Sequence, residues 1–194
     1  MLPASSPIAL KEWAITVDAL GRGEQILLVR KGGIREDGRH FAVEHDSFFL
    51  YPTHYHEGEL LLKPEVRARL DEVDVEDEPD MVTLGVYAEI AEVIEITEEA
   101  EATALDEHHI WAPEYAQKRV HWKPRHPLNV LLLRCHRLQQ PQAAPVMPNY
   151  GGCRSWVELV EEYPIGVAPP VLSERQFSAR VSAIKDALAA AVPA

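Results

Sequence analysis

An α+β fold, built as a mixed sheet or partly closed barrel flanked by helices, is predicted by three features of this 194-residue chain. Short apolar runs of strand length occur at 25–30 and 128–138. Apolar stripes at helical spacing occur near both ends. Hairpin-like turns interleave the two kinds of segment. A chain of this length buries one full core, so a single domain over 1–194 is expected.

Leu10, Trp13, Ala14, Val17 and Leu20 recur with helical period, and Gly21 stands where a C-cap glycine would end that helix. Gln25 to Arg30 reads as a buried strand, broken by Lys31-Gly-Gly33. Asp37-Gly38 marks a tight turn before Phe41 to Glu44. Ser47 to Tyr51 is an aromatic-rich strand stopped by Pro52. Leu60 to Leu70 reads as a helix with Pro64 at a first turn or between two short pieces. An acidic loop follows near 71–80.

Val82 to Ile96 alternates as a long strand, with Leu84, Val86, Ala88, Ile90 and then Val93 on one side. Its phase breaks near Ala91, as a β-bulge would make it do. Asp106 to Val120 reads as helical, with Pro113 at a break or a start, and Leu128 to Leu138 returns to a buried strand. Pro141, Pro145 and Pro148 predict an irregular connection up to Tyr150-Gly-Gly-Cys153. Trp156 to Val160 fits either a strand or a helix. A final helix is predicted near 173–191, where Ser173 and Gln176 form a capping box and Phe177, Val181, Ile184 and Leu188 a stripe for core packing.

No apolar run approaches the ~20 residues of a membrane span. Met1 to Pro7 has neither the basic nor the apolar region of a secretory signal. Cys135 and Cys153 form no CxxC pair, which suits reduced thiols in a cytoplasmic protein. The net charge of −12 argues against a general nucleic-acid coat. That charge is segregated, however. Residues 65–107 hold 16 acidic and 2 basic side chains, whereas 108–154 hold 7 Lys and Arg, 1 Glu and five histidines.

Three constellations could carry chemistry. Arg30-Lys-Gly-Gly-Ile-Arg35 sets three cations around two glycines at a strand end, where guanidinium groups and backbone amides can converge on an anion. The bland alternative is a solvated hairpin. In the second, Lys118, Arg119, His121, Lys123 and Arg125 interleave with Tyr115 and Trp122, and Arg134 and Arg137 continue the charge into the next strand. Such cations meet phosphates while rings stack on bases, for about 1–3 kcal/mol each. Pairing of these cations with the acidic block competes with that reading, because it accounts for both charge blocks at once.

The third constellation is Glu44, His45, Asp46, His54, His56 and Glu57. On an extended strand His54 and His56 point the same way, so with Glu44 and Asp46 they form a candidate divalent-metal set. A histidine-rich turn is the competing reading. GxSxG, HExxH, the P-loop and GxGxxG are all absent. No lysine has Asp or Glu two positions before it, which counts against the acidic-x-Lys strand of restriction-type nucleases.

Ala9-Leu-Lys-Glu-Trp-Ala14, Leu28-Val-Arg-Lys-Gly-Gly-Ile-Arg-Glu36, Phe49-Leu-Tyr-Pro-Thr53 and Tyr150-Gly-Gly-Cys-Arg-Ser-Trp156 together resemble one bacterial family, domain of unknown function number eighteen hundred and two. That resemblance spans nearly the whole chain and implies no activity. A weaker one is to the PUA-like barrels of the ASCH branch, which bind RNA or nucleosides and carry Gly-x-Lys-x-x-Glu-x-Arg. In Gly23-Glu-Gln-Ile-Leu-Leu-Val-Arg30 the glycine and arginine match, but Gln25 replaces the lysine and Leu28 the glutamate. This second resemblance therefore implies a pocket arginine without the amide-hydrolysing chemistry.

The leading expectation is a cofactor-free binding module with a basic pocket for a nucleotide, RNA or a single-stranded DNA end. Arg30, Lys31 and Arg35 would meet phosphate, with Lys118, Arg119, Trp122, Lys123 and Arg134 as the neighbouring wall. The alternatives are a metal-assisted hydrolase or nuclease using the cluster at 44–57, and an acidic interaction protein that uses 72–80 on a basic partner.

Overall fold

Helical and extended signals collide over residues 8–13, and the extended one wins because these residues are buried between two neighbouring strands. The computed structural model describes residues 1–31, 44–55, 61–73, 75, 79–121, 127–150 and 155–191. Strand β1 spans Ser5–Trp13 and gives way directly to helix α1, Ala14–Gly21. The helix expected from Leu10 thus begins only at Ala14. Its closing glycine is Gly23, at φ +68°, rather than Gly21. The Glu24 amide bonds the Ala19 carbonyl and the Gly23 amide that of Leu20, the paired bonds of a Schellman cap.

Strands β2 (Leu27–Lys31) and β3 (Ser47–Thr53) follow the expected runs. Pro52 does not stop β3, since Thr53 still pairs with Trp13. The helix expected over 60–70 is two single turns, α2 (Pro64–Arg67) and α3 (Leu70–Val73), with Pro64 opening the first. β4 (Met81–Ile96) shifts register at Ala91, where the bulge was expected, and again between Leu84 and Val86. That second shift sends Leu84 and Val86 into different apolar clusters. Beyond Ala91, Ile94 packs inward and Val93 faces solvent.

A short helix, α4 (Glu99–Ala104), and a 3-10 turn over Asp106–His108 precede α5, Pro113–His121, so Pro113 marks a helix start. β5 runs from Leu128 to Pro145, through the proline-marked stretch read as a connection. β6 (Trp156–Pro164) resolves the strand-or-helix ambiguity. α6 is Glu174–Ala191, with the Ser173 and Gln176 side chains capping it reciprocally.

The six strands form one mixed sheet in the order β2-β5-β4-β3-β1-β6, in which only β1 and β3 run parallel. The sheet is open, so of the two architectures expected the flanked sheet holds and barrel closure does not. Side chains alternate across it. Leu10, Phe48, Leu50 and Ala88 face one cluster, while Ala9, Phe49, Tyr51 and Tyr87 face a second. Every described helix sends its buried side chains to the first cluster, including Ile15, Val66, Leu70, Ala102, Tyr115 and Ile184. The second is closed by Tyr150, Val157, Tyr163 and Ile165. No described helix is long and apolar enough to cross a membrane.

Candidate functional site

The carboxyl ends of the parallel strands β1 and β3 gather the polar and aromatic groups of the first face. Glu12 projects into the apolar layer with its side chain only 8% exposed and therefore needs partners. Its Oε1 accepts the Trp13 amide at 2.9 Å, and its Oε2 accepts Arg30 Nη2 at 2.7 Å. The same Nη2 donates to the Lys11 carbonyl at 2.8 Å, while Thr53 Oγ1 donates to the Glu12 carbonyl at 3.2 Å. Arg30 is thus held by strand β1 from strand β2, on the far side of β5, β4 and β3 in the sheet.

Beside this pair stands an aromatic ladder. Tyr55 meets Trp13 edge-on at 4.9 Å, Tyr115 lies 5.7 Å from Trp13, and Trp111 stacks on Tyr115 at 4.7 Å. The Arg119 guanidinium of α5 covers its rim, 4.4 Å from the Tyr115 centroid and 5.8 Å from that of Trp13. At these distances the ring quadrupoles attract the cation. Arg119 is half-buried and has no carboxylate partner among the described residues. Lys118 is exposed and likewise unpaired among them. The arrangement can offer an anion a fixed guanidinium beside a stacking surface.

A profile for a family described as "Domain of unknown function (DUF1802)" matches residues 9–183, nearly the whole chain and all four segments that suggested it. The chain belongs to the DUF1802 family. No curated protein and no solved structure matches it.

The other predicted site residues of this DUF1802 chain fall in several places. Lys31 closes β2 opposite Leu128. Arg35, His56, Trp122 and Lys123 lie outside the described residues. Arg134 is engaged elsewhere, 2.8 Å from Glu174 and 4.9 Å from the Phe177 ring under α6. Glu44 and Asp46 precede β3 whereas His54 follows it. Seven strand residues separate them by roughly 20 Å or more, so the four proposed ligands do not gather at one ion. Among the described residues no three of His, Cys, Asp and Glu sit close enough to share a metal.

The competition between acidic and basic blocks resolves unevenly. His136 pairs with Glu89 and His121 with Glu99, joining the two blocks, but Glu92 takes Lys185 and Arg134 takes Glu174. Arg119 and Lys118 are left out of these pairs. Sequence reasoning passed over Glu12 and Trp13 because they were assigned to a helix. The available sign was the alternation in Leu10-Lys-Glu-Trp13, which on an extended chain puts Glu12 on the same face as Leu10, a buried charge awaiting a cation.

Proposed function

We propose that this DUF1802 chain is a binding module that receives a nucleotide, or the end of an RNA or DNA single strand, at the carboxyl ends of β1 and β3. The observation that carries the reading is Arg119, whose guanidinium rests on Tyr115 and Trp13 without a carboxylate partner among the described residues. A guanidinium laid on rings is already oriented, so contact with phosphate sacrifices little rotamer freedom. Lys118, next in the chain, adds charge that none of the described residues pairs with. Arg30 adds orientation rather than net charge, because Glu12 neutralises it. Lys31 and Arg35 follow Arg30 in sequence, and Trp122 and Lys123 follow α5, so they belong to the same proposal. Arg134 does not, being committed to α6.

Fluorescence anisotropy with short single-stranded RNA and DNA tests the reading. Binding should weaken steeply as salt rises, because phosphate contacts release counterions. Arg119→Ala should weaken it about tenfold, the scale of one charge-assisted contact, and Arg134→Ala should not. A flat titration at low salt with both strands ends the proposal.

A further inference from the structure

β2 and the residue before it cover the edge of β5 only as far as Leu133. Past that point the edge is taken by the strap that links β6 to α6. The Gln139 amide donates to the Val167 carbonyl at 2.9 Å and the Arg137 amide to that of Pro169 at 3.1 Å. The Val171 amide donates to the Cys135 carbonyl at 2.9 Å. Apolar burial does not fix this strap: none of residues 166–170 is buried, and Val167 is 66% exposed. Pro169 and Pro170 have no N–H to return to β5. Gly166, at φ +60° with open space where a Cβ would be, lets the chain turn where the strap begins.

The side chain that grips the strap is His136, which stands opposite Pro170. Its Nδ1 lies 3.2 Å from the Ala168 carbonyl and its Nε2 2.9 Å from Glu89 Oε2. A carbonyl and a carboxylate only accept, so both ring nitrogens must carry hydrogen, and only the imidazolium has two N–H groups. The side chain is 11% exposed, so water does little to replace a lost bond. The other polar groups around it are engaged. Tyr87, opposite His136 on β4, donates its hydroxyl to Ser47 Oγ. Arg134, opposite Glu89, is held by Glu174 of α6. Arg137 leaves β5 on the other face, toward Gly21, and the strap carries no titratable side chain.

We infer that His136 is a pH-sensitive latch. Protonated, it ties the strap at Ala168 to Glu89 of β4, and after losing its proton it can hold only one of the two. The strap is fully held below the titration of His136 and loosens as the pH rises through it, which bares the Arg137 and Gln139 amides on the edge of β5. α6 stays docked through Phe177, Ile184 and Leu188. The latch does not depend on the nucleotide reading.

Amide hydrogen exchange of the full chain across a pH series, corrected for the intrinsic rise of exchange with pH and recorded beside the His136 ring shifts, provides the test. Protection of the Arg137 and Gln139 amides should fall about tenfold, the scale of one charge-assisted hydrogen bond, with the midpoint of the His136 titration. The Ile184 amide in α6 should keep its protection throughout. His136→Gln should show the lower protection at every pH. Glu89→Gln keeps the imidazole, and in it the two midpoints should move together. Protection independent of pH in the parent, a pH-dependent loss that survives in His136→Gln, midpoints that part in Glu89→Gln, or an equal loss at Ile184 would each overturn the latch.

Discussion

Arg30 of β2 and Glu12 of β1 meet at 2.7 Å, although three strands lie between theirs in the sheet. The sheet must curl for this to happen, and the pair fastens the curl. Neither charge is well solvated: the side chains are 17% and 8% exposed. Such a pair adds little net stability over an apolar substitute, but breaking it strands a charge in the core. Arg30→Met should therefore destabilise the protein by about 3 kcal/mol, read from the urea midpoint. Glu12→Gln combined with Arg30→Met should recover most of that loss, because the amide keeps an acceptor for the Trp13 amide. An unchanged midpoint in the single variant would mean that solvent screens the pair.

His109 makes stability depend on pH. Its side chain is fully buried, and burial lowers its pKa to about 4 from the ordinary 6.5. The unfolded chain then binds a proton that the folded chain refuses. Stability is full above about pH 6.5 and falls as the pH drops toward 4, by about 3 kcal/mol in total. Burial lowers His108 as well, which adds in the same sense. Asp106, held above its usual range by burial, acts oppositely and only in the acidic carboxylate range. His109→Phe should flatten most of the decline between neutral pH and pH 5, measured by urea unfolding at each pH. A decline as steep as in the parent would assign it to other groups.

Elements whose apolar pattern fits only one secondary structure were legible from the residues. The β2 run, the β3 aromatics, the bulge at Ala91 and the capping box of α6 are each dictated locally. Residues 10–13 were misread because Leu10, Trp13, Ala14 and Val17 satisfy helical spacing, while the partners that pull the chain into a strand come from positions 47–53 and 155–164. No local signal reports those partners. The prolines at 141 and 145 were misread for a related reason: the missing N–H is tolerated at Pro141, where β5 passes the register shift beside Gly85, and at Pro145, the last residue of the strand. Arg30 and Arg119 were singled out from charge beside glycines and beside aromatic rings, and both come to the carboxyl end of β1. Their supports, Glu12 and Trp13, required the strand assignment first.

Cys135 should be chemically silent in the folded state. It sits wholly within the apolar layer, and burial pushes its thiol up to about 12. Thiolate is the reactive form, so alkylation near neutral pH must wait for the chain to open. In a Cys153→Ser background, iodoacetamide should modify Cys135 no faster than the protein unfolds, and the rate should rise with urea in step with unfolding. Rapid labelling without denaturant would mean that the sheet opens locally at β5.

Gly23 lies within the segment that resembles the ASCH motif, yet its geometry accounts for it without a ligand. It holds φ +68° in the turn that leads from α1 toward β2, and an added Cβ would stand 2.7 Å from Leu172 Cδ2. Gly166 separates the two costs, since it has φ +60° and open space where its Cβ would be. Gly166→Ala should cost about 1 kcal/mol for the left-handed backbone alone. Gly23→Ala should cost that amount and a further 1 kcal/mol or so for displacing Leu172, a partly buried neighbour. Urea unfolding of the two variants measures the difference directly. If they lose equal stability, Leu172 yields freely and the glycine is required by its backbone angle alone. A folded Gly23→Ala protein that has also lost single-strand binding would instead give the glycine a role in the site.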